Sequence, residues 1–294
     1  MHPSLSELNT EARRASSPTM ARGILAEAQE LMRNALDHGE SEPALALWFS
    51  HTLQEWALSP AVEEITGGSR LLFTGPVARC DAIPTDTVTW FIIGEAPDAN
   101  EQLRELVDAA ALPVGDLPAP APQAHWDAAA SAAASQGDAD KLAYWVDAGY
   151  LDGPAVAEAL LAPSLAHLPP MLRLAEGLPD YDTPVDVRGS LMDPVVAVAR
   201  WAGLLAGARG GNAPHRLGTA QHQGILTEDE AEALTQAWST GLSMELRAWR
   251  HGTWGQEETM RSLPSLDRSA YGAAARLVSV ALRSIAGRHG IALP

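Results

Sequence analysis

The residues best suited to chemistry lie in one short segment, residues 71–93. Gly75 breaks a first apolar run, and Arg79 and Asp81 follow within six residues. A second run, apolar and β-branched, begins directly after Asp86. A guanidinium next to carboxylates either forms a salt-bridged turn or offers a contact for an anion beside a cation ligand. The segment therefore predicts two strands joined by a turn that carries a candidate site.

The elements that must position this site are read from periodicity and chain breakers. Short apolar runs predict buried strands at 70–74 and 87–93, and helical spacing predicts a helix over 97–112. Four prolines make the stretch 112–123 a loop or lid. We predict a further helix over 124–135 and a third strand over 144–149, which Asp147 would help to end. A carboxylate at the end of that strand either joins the site or is an ordinary surface acid.

Helices are expected on both sides of this region, which makes the fold class α+β. The first 16 residues are interpreted as a loose arm, and the two helices after it begin at Ser17 and Ser41, each close to a proline. Beyond residue 163 the pattern is helical throughout, with a central apolar helix over 195–208 and a last helix over 266–289. Thr227 and Glu230 form a capping-box signature. We divide the chain into N-terminal arm and helices (1–66), a small mixed-sheet domain (67–163) and a helical bundle (164–294).

Charge and composition exclude several classes of function. The formal net charge is −17, and residues 71–160 hold 14 acids against 3 bases. Such a chain is repelled by phosphate backbones and anionic membranes, so we expect no nucleic-acid or membrane partner. Lys141 is the only lysine, which argues against a Schiff base or a Walker-type phosphate loop. With Cys80 as the only cysteine, no intrachain disulfide forms, and we expect a cytoplasmic protein.

The segment 71–93 resembles the signature of the nucleotidyltransferase superfamily. That signature has a strand, a Gly-Ser turn, an Arg-x-acid pair, and a Ser-Asp-x-Asp sequence leading into a second strand. In the family, the two aspartates hold divalent metal ions on one face of the strand, and a third carboxylate comes from a neighbouring strand. The glycine turn lets backbone N–H groups approach the phosphates of a nucleotide.

The resemblance assigns roles to individual residues of this segment. The nucleotide contacts that it implies are Gly75, Pro76, Arg79, Thr87 and Thr89, of which Pro76 replaces the serine. Thr87 and Thr89 fall where the two metal-binding aspartates belong. If the protein is active, the carboxylates left for catalysis with Mg²⁺ or Mn²⁺ are Asp81, Asp86 and Asp147. We assign no metal ligand, because a threonine hydroxyl is a poor replacement for a carboxylate on magnesium.

A second resemblance covers the C-terminal part of the chain. Residues 185–200 and 212–217 look like the helical substrate-binding domain that follows such nucleotidyltransferase domains in bacterial proteins, where the catalytic part is similar to PII-protein uridylyltransferases. In this module an arginine on an apolar helix needs a carboxylate or an anionic ligand as its partner. The residues that the resemblance suggests for substrate binding are Arg188, Arg200, Asn212, His215 and Arg216.

Three functions remain open at this point. The first is a divergent nucleotidyltransferase-like protein, in effect a pseudoenzyme, that binds a nucleotide or another anionic small molecule, or regulates a partner protein. The second is an active enzyme that transfers a nucleotidyl group to a protein or a small acceptor through an unusual carboxylate site. The third is an interaction scaffold whose acidic middle third docks a basic partner.

Overall fold

The structure, a computed structural model, describes residues 2–170, 174–175, 178–179, 181–208 and 210–293. The fold is α+β: helices predominate, and the largest sheet has two strands. Contacts divide the chain into two compact units, residues 1–151 and residues 152–294. The three-part division made from the sequence stays a prediction. Each unit is considered by itself below.

Helices open the first unit, where the sequence predicted an arm. That prediction is wrong for the first 16 residues, because Leu5 and Leu8 lie on one face of a helix and are buried. The second helix begins as expected: the Ser17 side chain accepts a hydrogen bond from the N–H of Met20, and Pro18 occupies the first turn. The first four helices are α1 (Pro3–Arg13), α2 (Pro18–Asp37), α3 (Glu42–Ala57) and α4 (Pro60–Thr66).

An antiparallel hairpin forms the sheet of the first unit. Its strands are β1 (Arg70–Thr74) and β2 (Thr89–Ile93), with Leu72 opposite Phe91. A four-residue helical turn, α5 (Gly75–Ala78), follows β1 directly. Both predicted strands are confirmed, the second beginning two residues later than expected.

The proline-rich stretch lies against the free edge of β2. It is reached through α6 (Ala99–Asp108), which confirms a helix in this region. Within the stretch, isolated parallel bridges pair Val88 with Val114 and Ile93 with Ala121. The N–H of Val88 donates to the carbonyl of Pro113 over 2.8 Å, and the N–H of Gly115 donates back to the carbonyl of Val88 over 3.1 Å. Residues 113–121 therefore border the sheet as an extended segment, although they form no regular strand.

Two helices close the first unit over the sheet, α7 (Gln123–Gln136) and α8 (Ala139–Asp147). The third strand predicted over 144–149 is wrong, because most of this stretch belongs to α8. Asp138 caps that helix by accepting the N–H of Lys141, and Leu142 and Trp145 then recur at helical spacing on its buried face. Aromatic rings join the helices to the sheet: the Phe91 ring centroid lies 5.1 Å from that of Trp126 and 5.4 Å from that of Trp145.

The second unit is almost wholly helical. Its helix α10 begins at Asp193 and packs against α9 and α11, as expected of a central helix. The capping box of Thr227 and Glu230 is confirmed at the start of α12. The elements are α9 (Pro154–Leu165), β3 (Leu174–Ala175), β4 (Leu178–Pro179), β5 (Pro184–Val185), a π-helical segment (Arg188–Met192), α10 (Asp193–Leu205), α11 (Ala213–His222), α12 (Glu228–His251), β6 (Glu258–Thr259) and α13 (Ser265–His289). In the described parts of both units, no helix is long and apolar enough to cross a membrane.

Candidate functional site

A buried ion cluster stands at the turn between the two strands. Arg79 Nη1 lies 2.6 Å from Asp147 Oδ2, and its Nε donates to Asp81 Oδ2 over 3.2 Å. All three side chains are buried, with the two carboxylates only 3% exposed. The salt-bridged turn that the sequence allowed is thus present, and it reaches across the unit to the end of α8.

Backbone conformation brings Arg79 and Asp81 to the same side of the turn. Gly75 has a φ of 63°, which glycine adopts without steric penalty. Cys80 also has a φ of 63°, in the left-handed region that most L-residues avoid. A non-glycine residue is held there only when its surroundings over-determine the conformation. The paired guanidinium and carboxylate on either side of Cys80 are surroundings of that kind.

The pKa values of Asp81 and Arg79 are both raised, that of Asp81 by burial and that of Arg79 by the neighbouring carboxylates, which outweigh its burial. Desolvation raises the pKa of Asp81, and the nearby Asp86 adds to the rise, while Arg79 opposes it without cancelling it. Burial alone would lower the pKa of Arg79, but Asp81 and Asp147 raise it above its ordinary value. The guanidinium is therefore a fixed cation. Asp81 Oδ1, although 3.2 Å from Arg79 Nη2, has no partner in hydrogen-bond geometry, so Asp81 is the less well satisfied carboxylate.

Asp86 stabilises the loop that precedes β2. Its side chain is buried, and Oδ2 accepts the N–H of Ile83 over 2.8 Å. The N–H of Asp86 in turn donates to the carbonyl of Ile83 over 2.9 Å. This is a local turn of the kind that aspartate often forms with its own backbone. The structure therefore places Asp86 in a closed loop beside the ion cluster.

The positions matched to metal ligands share one face at the edge of the sheet. Thr87 and Thr89 alternate with the buried Val88, so their side chains lie on the same side of the chain. Gly115 lies directly against them: a Cβ added there would stand 2.9 Å from Thr87 Cγ2 and 2.9 Å from Thr89 Oγ1. The segment that contains Gly115 runs beside β2. Gly115 is therefore the residue that this neighbouring segment contributes to the face. The face thus presents two hydroxyls and no carboxylate.

The residues present do not fit the divalent metal ions that the resemblance implies. Two of the three nearby carboxylates, Asp81 and Asp147, share a buried guanidinium, which would repel a second cation placed between them. Asp86 already accepts a backbone N–H. In the described residues, no group of three or more His, Cys, Asp or Glu side chains is arranged to hold a metal ion. No catalytic step through a metal follows from this geometry.

A pocket of about 720 Å³ lies in the first unit. We call it the α7–α8 pocket, and its lining includes Asp116, Trp126, Ala132, Asp140, Lys141, Tyr144 and Trp145. One of its lining residues, Asp116, comes directly after Gly115 in the chain. Tyr144 is also tied to the turn, because Thr74 Oγ1 donates to its carbonyl over 2.6 Å. A volume of this size is typical of small-molecule sites.

The predicted substrate-binding residues have structural contacts within the second unit. Arg188 Nη2 lies 3.3 Å from Glu245 Oε2, and Arg216, which is buried, donates from Nε to the carbonyl of Gly211 over 3.0 Å.

Asn212 caps α11, since its Oδ1 accepts the N–H of His215 over 3.1 Å. The ring of His215 lies over Gly211, and Arg200 is half-buried on α10 rather than fully buried. Their roles toward a substrate stay predictions.

One family comparison gives a match in this second unit. Residues 158–288 match the family described as "Putative nucleotidyltransferase substrate binding domain". This part of the chain is similar to that family. The matched residues run from within α9 almost to the end of α13 and include both stretches in which the sequence showed the helical resemblance. No curated protein matches the chain.

Several residues beside the candidate site are not identified by the sequence patterns. The sequence predicts a proline-rich loop around Gly115. The one signal that this loop could border a sheet is the extended conformation that residues before prolines favour. The sequence predicts a strand at Tyr144 and Trp145, and this prediction gives no contact between them and α7. For Asp147 the sequence left open a place in the site or a surface position; the structure has it buried at the end of α8 and bound to Arg79.

Proposed function

We propose that this protein is a divergent nucleotidyltransferase-like protein that binds a small molecule or regulates a partner without catalysing nucleotidyl transfer. One observation carries the proposal: the three positions that share the expected metal face are Thr87, Thr89 and Gly115, and none offers a carboxylate. The nearest acids are already bound to Arg79 or to the backbone. Phosphoryl and nucleotidyl transfer depend on metal ions that bridge and neutralise the phosphates.

The buried ion cluster in this proposal is structural. Arg79, which the resemblance makes a phosphate contact, has given at least two of its nitrogens to Asp81 and Asp147. Recruiting it to a phosphate would leave both carboxylates buried without their cation, which is strongly unfavourable. We therefore assign Arg79 to holding the turn between β1 and the helix α8.

Calorimetry tests the proposal directly. The full chain is titrated with each of the four nucleoside triphosphates, first in EDTA and then with Mg²⁺. We expect only a small effect of Mg²⁺ on nucleotide affinity, unaltered by Asp86→Asn, because no carboxylate face binds the metal and Mg²⁺ acts only by neutralising the phosphates in solution. A tenfold or larger gain in affinity with Mg²⁺, abolished by Asp86→Asn, would instead support the active-enzyme alternative, in which Asp81, Asp86 and Asp147 form an unusual metal site.

A further inference from the structure

We propose that the α7–α8 pocket binds an organic cation with a flat apolar body, an amine rather than a phosphorylated nucleotide. This inference rests on the proposed ligand-binding function and names the chemical class of its ligand. It is carried by three features of the pocket: aromatic and alanine walls, a buried hydroxyl without a partner, and two carboxylates at the opening.

The walls fit an apolar body. Trp126 and Trp145 line the pocket, and their positions are fixed by neighbours: the indole N–H of Trp126 donates to the carbonyls of Ile92 and Ala121. The α7 wall is made of alanines such as Ala132, whose small side chains leave a smooth surface. Trp126 and Trp145 are only 3% and 6% exposed, so they offer a ligand a small but rigid apolar surface at little entropic cost.

Tyr144 supplies a hydrogen bond that the protein leaves unused. It lines the pocket, and its hydroxyl is buried without a hydrogen-bond partner in the described residues. Burial raises the pKa of Tyr144 above its ordinary value, so the group stays a neutral donor at physiological pH. A buried donor without a partner is costly, and a ligand acceptor removes that cost once the ring turns its hydroxyl toward the pocket.

The charge at the opening is negative. Asp116 and Asp140 are exposed lining residues, and neither makes an ion pair among the described residues. The one base of the lining, Lys141, has its Nζ 3.2 Å from Asp138 Oδ2, outside the pocket lining. With only 3 bases against 14 acids in residues 71–160, the local field attracts cations and repels phosphates.

Matched probes distinguish the charge of the ligand. We would measure binding of (6-methoxynaphthalen-2-yl)methylamine and of 6-methoxy-2-naphthoate to the full chain by calorimetry, with saturation-transfer NMR for weak binders. The amine should bind at least tenfold more tightly than the carboxylate of the same body. Its affinity should fall as ionic strength rises, because the carboxylates at the opening are exposed. Equal affinities, or tighter binding of the naphthoate, would overturn the proposal.

Variants locate the binding in the pocket. Ala132→Trp should abolish amine binding by filling the space, and the double variant Asp116→Asn/Asp140→Asn should weaken it at least fivefold. Tyr144→Phe should weaken it about threefold by removing the donor for the ether oxygen. Asp108→Asn, an exposed acid on α6, is the matched control and should change nothing. Amine binding that survives Ala132→Trp would place the ligand elsewhere and contradict the assignment.

The proposed function and this inference fail separately. If the amine does not bind and the chain also transfers no nucleotide, the ligand class is wrong and the absence of catalysis stands. If the chain transfers nucleotides with Mg²⁺ or Mn²⁺, the proposed function is wrong whatever the amine does.

Discussion

At the scale of single residues, Arg79 separates the alternatives that the sequence left open. A phosphate contact needs an accessible guanidinium, whereas Arg79 is buried and bound to Asp81 and Asp147. The motif that resembles a nucleotide site therefore survives as a salt-bridged turn. Its arginine and carboxylates stabilise the fold. From the sequence alone, this role and that of an anion contact were both open.

Replacing Arg79 should destabilise the protein strongly. Arg79→Gln leaves two buried carboxylates without their cation, and breaking a buried ion pair in this way costs about 3–5 kcal/mol. Urea denaturation measures the free energy of unfolding. The matched control is Arg33→Gln, which breaks the exposed pair of Arg33 and Glu30 and should cost less than about 1 kcal/mol. If Arg79→Gln is as stable as the wild type but no longer binds a nucleotide, Arg79 is a phosphate contact and the structural assignment is wrong.

The raised pKa of Asp81 gives a signed pH dependence. Its carboxyl holds a proton more tightly in the folded chain than in the unfolded one, so folding is favoured more at low pH. The stability of the wild type relative to Asp81→Asn should therefore fall as the pH rises above the ordinary value of 3.8 and level off beyond the raised pKa. Denaturation of both proteins between pH 4 and pH 8 checks this. A difference that grows in favour of the wild type with rising pH would contradict the assignment.

At the scale of elements, the hairpin was predictable and its neighbours were not. β-branched and aromatic runs bounded by glycine identify β1 and β2 without further information. The stretch 144–149 carries the same aromatic richness, but the cap at Asp138 and the helical spacing of Leu142 and Trp145 decide for α8. The segment 113–121 borders β2 because tertiary hydrogen bonds fix it, and nothing local in a proline-rich sequence encodes that pairing.

Gly115 should tolerate no side chain. In Gly115→Ala the new Cβ meets the side chains of Thr87 and Thr89 at 2.9 Å, so these side chains must rotate or the segment must move away from β2. Overpacking of this kind costs about 1–3 kcal/mol. Thermal denaturation should show a lower Tm than for the wild type. The control Gly23→Ala lies in α2 with nothing within 4 Å of the new Cβ, and it should raise stability by up to about 1 kcal/mol.

At the scale of the whole molecule, the two units differ in net charge, and the family match lies in one of them. Residues 1–151 hold 22 acids and 8 bases, a net charge of −14, and residues 152–294 hold 15 acids and 12 bases, a net charge of −3. The family match lies entirely in the second unit. Most of the negative charge thus belongs to the first unit, in which the face of Thr87, Thr89 and Gly115 has no carboxylate. In our proposal this charge sets the electrostatic field around the α7–α8 pocket.

The boundary between the units makes a prediction about fragments. Because α9 packs on α10, a fragment of residues 152–294 should fold by itself into a helical domain, and circular dichroism with urea denaturation should show cooperative unfolding. A fragment of residues 164–294, cut at the boundary predicted from the sequence, loses most of α9 and should unfold at lower urea. Equal stability of the two fragments would favour the boundary at residue 163.

The absence of nucleotidyl transfer is the central claim, and pyrophosphate release tests it most directly. The full chain is incubated with each nucleoside triphosphate and Mg²⁺ or Mn²⁺, in buffer and with a cell extract as a source of acceptors, using α-³²P-labelled nucleotide to detect transfer. We predict neither pyrophosphate release nor label transfer above a heat-denatured control. Metal-dependent release by the wild type, lost in Asp81→Asn or Asp86→Asn, would contradict the account.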